Sequence, residues 1–168
     1  MTAFDTALER TLGFEGGYAH VKGDRGGPTN YGVTQKAYDG WRVTTGQPKR
    51  SVNEITDAEV QALYLADYWL PCRCDELPDP LARAVFDMAV NSGVWNARET
   101  LQRAVGVKVD GHIGPVTLAA AKAKPDAVLR FLKARAAFIQ EVIYTHPGDV
   151  MFLEGWINRL LDQAWRPS

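Results

Sequence analysis

The sequence predicts a mainly α-helical protein with about seven or eight helices and a small lobe of loops, or a hairpin, near residues 16–34. Two observations carry this prediction. Apolar residues recur every three or four positions through most of the chain, between Gly and Pro residues that end one helix and begin the next. The stretch 16–34 differs, because it is rich in Gly and turn-forming residues between short β-prone pieces.

Capping signals mark the helices of the first half. Thr2 followed by Asp5 predicts a helix from residue 3 to about 13, which the following glycines end. A short helix is predicted over residues 35–41. Thr56 and Glu59 form a second capping box, which opens a helix that Pro71 ends. The apolar face of this last helix carries Val60, Leu63, Tyr64 and Tyr68.

The second half begins with the segment that we expect to be the buried central helix. Residues 81–91 are mostly apolar, interrupted only by Arg83 and Asp87, and Gly93 ends them. Asp87 is predicted to make a buried structural hydrogen bond. The later helices are predicted over residues 96–105, from Pro115, over 126–144 and after Pro147-Gly148.

Composition excludes several classes of protein. The chain has 168 residues, and its 19 basic and 20 acidic residues give a formal net charge of −1, which argues against a nucleic-acid binder. No stretch approaches the roughly 18 apolar residues that span a bilayer. The first residues lack the features of a signal peptide, so we expect no export by such a signal.

Cysteine and histidine spacing predicts no metal site. Cys72 and Cys74 are one residue apart, too close for a normal disulfide with each other, and are predicted to be structural or idle thiols. His20, His112 and His146 are scattered, without the spacing of a ligand pair.

Two carboxyl residues near the first helix form a candidate catalytic pair. Glu15 follows Phe14 at the negative end of the helix dipole, and burial there would keep its carboxyl protonated, as a general acid requires. Asp24 lies in a polar, glycine-rich surround that favours its ionised form. Thr29 or Thr34 would hold the attacking water. From these residues alone, the alternative that Glu15 is a surface residue and Asp24 a turn former stays open.

Longer motifs resemble a known family. They are Glu15-Gly-Gly-Tyr18, Asp24-x-Gly-Gly-x-Thr29-Asn-Tyr-Gly-Val-Thr34, Phe86-Asp-x-Ala-Val-Asn91-Ser-Gly93 and Val109-Asp-Gly-His-Ile-Gly-Pro115-x-Thr117. Together they resemble glycoside hydrolase family 108, with its predicted peptidoglycan-binding region in the C-terminal half. The resemblance implies an all-helical, lysozyme-like fold and cleavage of the glycan strand of peptidoglycan.

The resemblance also implies roles for residues. Glu15 would be the catalytic acid, and Asp24 and Thr29 would match the Asp and Thr that follow the Glu in phage-type lysozymes. The gap between Asp24 and Thr29 is one residue shorter than in that pattern, so Thr34 remains an alternative. The residues predicted to bind substrate are Tyr18, Tyr31, Thr34, Trp69 and Asn91. For Trp69 a place in the core, and for Asn91 a role as a helix cap, stay open.

The predicted activity is that of an N-acetylmuramidase of the lysozyme type. It would hydrolyse the β-1,4 bond between N-acetylmuramic acid and N-acetylglucosamine. The alternatives are a lytic transglycosylase and a non-catalytic peptidoglycan-binding or secretion-associated protein. Residues 1–168 are predicted to form a single domain, with a catalytic part (1–75) and a helical, peptidoglycan-binding-like part (76–168) packed as one unit. Whether the configuration at the cleaved sugar is retained or inverted depends on the distance between the two carboxyl groups. The Val109–Pro115 turn is predicted to be either a structural turn or a peptidoglycan-binding element.

The resemblance, taken with the charge balance and the lack of signal-peptide features, also predicts partners and a location. We expect a monomer that binds peptidoglycan glycan strands, binds no nucleic acid, does not insert into a membrane and uses no metal or organic cofactor. A phage or prophage endolysin would fit these expectations. It would stay in the host bacterial cytoplasm until a holin-type pore released it to the periplasm and the cell wall.

Overall fold

The computed structural model describes residues 1–14 and 28–165, and this part of the chain contains eight α-helices and one two-stranded sheet. The helices are α1 (Ala3–Leu12), α2 (Gln35–Thr44), α3 (Asp57–Tyr64), α4 (Asp79–Ser92), α5 (Val94–Val105), α6 (Pro115–Ala123), α7 (Ala127–Thr145) and α8 (Leu153–Trp165). Strands β1 (Thr29–Asn30) and β2 (Val33–Thr34) form an antiparallel hairpin. The predicted mainly α-helical fold with a small hairpin is confirmed.

Both predicted capping boxes form. The Thr2 hydroxyl accepts the backbone N–H of Asp5 at 3.1 Å, and the Asp5 carboxylate accepts that of Thr2 at 2.7 Å. The same exchange joins Thr56 and Glu59 at the start of α3, at 3.3 and 2.9 Å. Each box satisfies backbone donors that a helix end otherwise leaves unpaired, so the sequence signal locates both helix starts.

Helix α4 lies at the centre of the molecule, as its apolar composition predicts. Every residue from Leu81 to Ala89 is buried, and the helix packs against α1, α5 and α7. Phe86 on α4 meets Phe4 of α1 and Trp69 edge-on, with ring centroids 5.8 and 5.5 Å apart. This aromatic group joins the first helix to the central one.

The helix after Thr56 differs from its prediction, and so does Trp69. Helix α3 ends at Tyr64, and a π-helical turn (Leu65–Trp69) follows, closed by a 3.0 Å bond from the Leu70 N–H to the Leu65 carbonyl. Trp69 is fully buried, and its indole N–H donates to the Asp75 carboxylate at 2.7 Å. The prediction that Trp69 contacts substrate is therefore corrected, because a ring without exposed surface cannot stack on a sugar.

Among residues 1–14 and 28–165, no helix combines the length and apolar character needed to cross a membrane.

Candidate active site

The hairpin brings the two candidate threonines together. Thr29 and Thr34 are directly paired across the two strands, and such partners have Cβ atoms about 5 Å apart on one face of the ribbon. The hairpin is held from behind by buried Asn30, whose side-chain amide donates to the Val52 carbonyl at 3.4 Å. The two alternatives for holding a water molecule are thus neighbours on one surface.

Thr34 has a second role that the sequence motif did not indicate. Its hydroxyl oxygen accepts the backbone N–H of Ala37 at 3.2 Å, which caps the start of α2. The hydroxyl keeps its own proton as a donor. Thr34 also lines a groove with Trp41 of α2 and Asp67 of the π-helical turn, so the cap and the groove share this side chain.

Tyr31 lies in the turn of the hairpin and adopts a left-handed backbone conformation, with φ of 51°. The Tyr64 hydroxyl donates to the Tyr31 carbonyl at 2.7 Å, which fixes the turn against α3. The Tyr31 side chain is 36% exposed and lines a groove of about 260 Å³ between α1 and α3. Its contact with substrate stays a prediction.

The end of α1 is anchored to the second half of the chain. The backbone N–H of Phe14 donates to the Thr11 carbonyl at 3.0 Å. The guanidinium of Arg159, on α8, lies 4.9 Å from the centroid of the Phe14 ring. Phe14 is the residue before the candidate acid Glu15, so α8 holds the helix end from which the candidate catalytic segment begins.

A buried charge cluster lies behind this anchor. Asp87 of α4 is fully buried and accepts from Arg135 of α7 at 2.7 Å and from Arg159 at 3.1 Å, one bond to each carboxylate oxygen. The prediction of a buried structural hydrogen bond at Asp87 is confirmed. Its two arginine partners were not predicted. Removing one member of a buried ion pair typically costs about 3–5 kcal/mol, because the remaining charge is left uncompensated.

Asn91 joins this cluster to a cavity. Its side-chain oxygen accepts from Arg135 at 3.5 Å and from the Ser92 hydroxyl at 3.2 Å. Asn91 also lines a pocket of about 160 Å³, together with Asp149 and Trp156. Its contact with substrate stays a prediction.

Three of the predicted site residues, Glu15, Tyr18 and Asp24, lie outside the described residues. Within residues 1–14 and 28–165, no group of three or more His, Cys, Asp or Glu side chains is arranged to hold a metal ion. Cys72 and Cys74 are buried free thiols.

Comparison with known proteins assigns these elements to a family. Residues 8–93 match the family described as Glycosyl hydrolase 108, and this region contains the end of α1, the hairpin, α3 and α4. The chain belongs to the glycosyl hydrolase 108 family. Residues 96–161, which hold α5 to most of α8, match a family described as a predicted peptidoglycan domain.

A solved structure agrees with this assignment to the glycosyl hydrolase 108 family. This chain and the structure of Brucella abortus SagA are 31% identical in sequence and superpose with a TM-score of 0.79. The match spans 98% of this chain and 92% of the SagA chain. No curated protein sequence matches the chain. The family matches support a lysozyme-like glycoside hydrolase that acts on peptidoglycan.

Proposed function

We propose that this glycosyl hydrolase 108 member is an N-acetylmuramidase that hydrolyses the β-1,4 bond between N-acetylmuramic acid and N-acetylglucosamine. One observation supports this most directly. The hydrolase match over residues 8–93 contains Glu15, Asp24 and the paired threonines, and a predicted peptidoglycan domain follows it in the same chain. A role as a phage or prophage endolysin, released to the wall through a holin-type pore, belongs to this proposal.

Glu15 is the general acid in the proposed mechanism. It follows α1 in sequence, and the carbonyl end of a helix carries partial negative charge, which disfavours an ionised carboxyl. A carboxyl that stays protonated near neutral pH donates its proton to the leaving glycosidic oxygen. The anchoring of Phe14 by Arg159 limits the freedom of the chain just before this residue.

Asp24 supplies the second carboxyl. When ionised, it stabilises the positive charge that develops on the sugar or activates the attacking water. A hydroxyl of the hairpin, from Thr29 or Thr34, orients this water. Both hydroxyls suit the task, because their residues are paired on one face of the hairpin.

Digestion of purified peptidoglycan by the native chain and by Glu15→Gln tests the assignment of the acid. General acid catalysis contributes about 10²- to 10⁴-fold, so we expect the variant to lose activity on that scale or more. Glu141→Gln is the matched control, because Glu141 is an exposed carboxylate on α7. It is expected to digest at the native rate. Mass spectrometry of the native products is expected to show reducing-end N-acetylmuramic acid.

Other outcomes would overturn the proposal. Products ending in a 1,6-anhydro ring would make the enzyme a lytic transglycosylase. Reducing-end N-acetylglucosamine would place the cleavage on the other glycosidic bond. Sacculi that are bound but digested by neither chain would leave a non-catalytic binding protein.

A further inference from the structure

A groove beside the hairpin extends beyond the residues used in the mechanism above. It has a volume of about 470 Å³ and lies between α2 and the π-helical turn, where Thr34, Gly40, Trp41 and Asp67 line it. We name it the Trp41 groove. Because Thr34 pairs with Thr29, the groove begins on the hairpin that carries the candidate water-holding threonines. Ligand sites of proteins are commonly mostly apolar, with a few placed polar groups, and this groove has that character.

The indole of Trp41 lines the groove and packs beside a buried ring. It is half-buried, and its ring lies nearly parallel to that of Tyr38, with an interplanar angle of 11° and centroids 6.3 Å apart. Tyr38 is fully buried, and its hydroxyl oxygen accepts from Arg42 at 3.1 Å and from Arg50 at 2.7 Å. A ring fixed in advance loses little conformational entropy when a ligand packs against it.

The Asp67 side chain lines the same groove. Within the part of the chain that the structure describes, it has neither a hydrogen-bond nor an ion-pair partner. The Asp67 side chain is exposed, and its partial desolvation by the surrounding protein raises its pKa above the ordinary value. An ionised carboxylate is an acceptor only, with room for several donors, so it suits a ligand that carries hydroxyl or amide N–H groups.

We propose that the Trp41 groove binds an N-acetylhexosamine unit of the glycan strand next to the cleaved bond. The indole of Trp41 packs against the apolar face of the sugar ring, and Asp67 accepts hydrogen bonds from its hydroxyl or amide N–H groups. This inference rests on the proposed function, because it places a flanking sugar of the same substrate. A sugar ring has one apolar face and several hydroxyl groups, and the groove offers an aromatic ring beside a carboxylate, with threonine side chains and Lys36 also in its lining.

Gly40 allows a test that does not disturb the fold. It lies in α2 and lines the groove, and a Cβ atom added there would meet no atom within 4 Å. Leu also favours a helix more than Gly does, by up to about 1 kcal/mol of helix-forming free energy. Gly40→Leu therefore fills the groove without weakening the helix. Gly155→Leu is the matched control, because Gly155 lies in α8 with equally open space.

The experiment measures binding of full-length protein to peptide-free glycan strands by titration calorimetry, in the Glu15→Gln background to suppress turnover. We expect Gly40→Leu and Trp41→Ala to raise Kd about tenfold or more, since loss of an aromatic contact and its buried area is typically worth that factor. Asp67→Ala is expected to raise it severalfold. Gly155→Leu is expected to leave Kd unchanged. Gly40→Leu is expected to have a free energy of unfolding no lower than that of its parent.

The remaining outcomes separate a failure of the groove proposal from a failure of the proposed activity. An unchanged Kd for Gly40→Leu would overturn the proposal, whatever Trp41→Ala does. A loss seen only with intact sacculi, and not with peptide-free strands, would assign the groove to the stem peptide instead. Binding and cleavage are measured separately, so a chain that binds strands through the groove but cuts none would refute the muramidase activity alone.

Discussion

The side-chain amide of Gln102 makes four hydrogen bonds to the turn that follows α5. Its nitrogen donates to the Asp110 carboxylate at 2.8 Å and to the His112 carbonyl at 3.0 Å. Its oxygen accepts the backbone N–H groups of Asp110 at 2.9 Å and Gly111 at 2.8 Å. The Val109–Pro115 motif is thus held by one buried residue, which gives the motif a structural role.

Replacement of this amide is predicted to destabilise the protein. Gln102→Ala leaves two backbone donors of the turn without their acceptor, so we expect a free energy of unfolding lower by on the order of 2–4 kcal/mol. Urea unfolding followed by circular dichroism measures the loss. Gln140→Ala, at an exposed position on α7, is the control and is expected to stay within about 0.5 kcal/mol of the native value. Equal losses in the two variants would contradict the role of Gln102.

Sequence reasoning at this scale identifies a buried residue more readily than its partners. Asp87 is predictable, because an acidic residue inside an apolar helix needs a hydrogen bond when it is buried. Its partners Arg135 and Arg159 are 48 and 72 residues away in sequence. Local patterns carry no information about such distant pairs. Gln102 lies only eight residues before Asp110, but no helical or strand period links a residue on α5 to the turn after it, so the pattern does not reveal this contact.

The elements α2 and α3 are joined through one carboxylate. Glu59 closes the capping box of α3 and also forms ion pairs with Arg42 of α2, at 2.5 Å, and with Arg50 of the connecting loop. Burial opposes ionisation of this carboxyl. Hydrogen bonds from Thr56 and Tyr38 and the charge of Arg50 outweigh burial and lower the pKa of Glu59 below its ordinary value of 4.5.

This shift predicts a pH-dependent effect of Glu59→Gln. A lowered pKa in the folded state stabilises the protein above the pKa of the unfolded state, and this contribution is lost as the pH falls through the folded-state value. We expect the variant to be less stable at pH 7 by about 1–3 kcal/mol. The difference from the native chain is expected to narrow below pH 4.5.

Urea unfolding of both chains at a series of pH values measures this narrowing. Glu54→Gln serves as the control, because the Glu54 side chain is 61% exposed and forms only a 3.7 Å pair with Arg50. If the loss of unfolding free energy in Glu59→Gln stayed constant from pH 7 to pH 3, the destabilisation would be steric and not electrostatic.

Helix starts were predictable at the scale of elements, and the π-helical turn was not. A capping box is a local signal, and both boxes form where the sequence places them. Spacing along α3 places Tyr68 on the face of Val60 and Tyr64. The π-helical turn shifts this register by one residue, so Trp69 is fully buried and Tyr68 is half-buried. A regular period of 3.6 residues cannot reveal such a shift.

At the scale of the whole molecule, the two regions that match different families share one hydrophobic core. The hydrolase match ends at residue 93, directly after α4, and the peptidoglycan-domain match begins at residue 96, within α5. Helix α4 nevertheless packs against α5 and α7 as well as α1. Asp87, on the hydrolase side of this boundary, takes both of its arginine partners from the other side. The family boundary therefore crosses buried apolar contacts and a buried charge cluster.

This arrangement predicts that neither half folds alone. A fragment of residues 1–93 exposes the faces of α4 that contact α5 and α7, and it leaves Asp87 without its partners. We expect this fragment, and that of residues 94–168, to lack a near-ultraviolet dichroism signal and a cooperative unfolding transition. Mixing the two is expected to restore both, because the shared core then forms. A fragment 1–93 that unfolds cooperatively by itself would instead make the two regions separate folding units, and the hydrolase region would then be free to act without its neighbour.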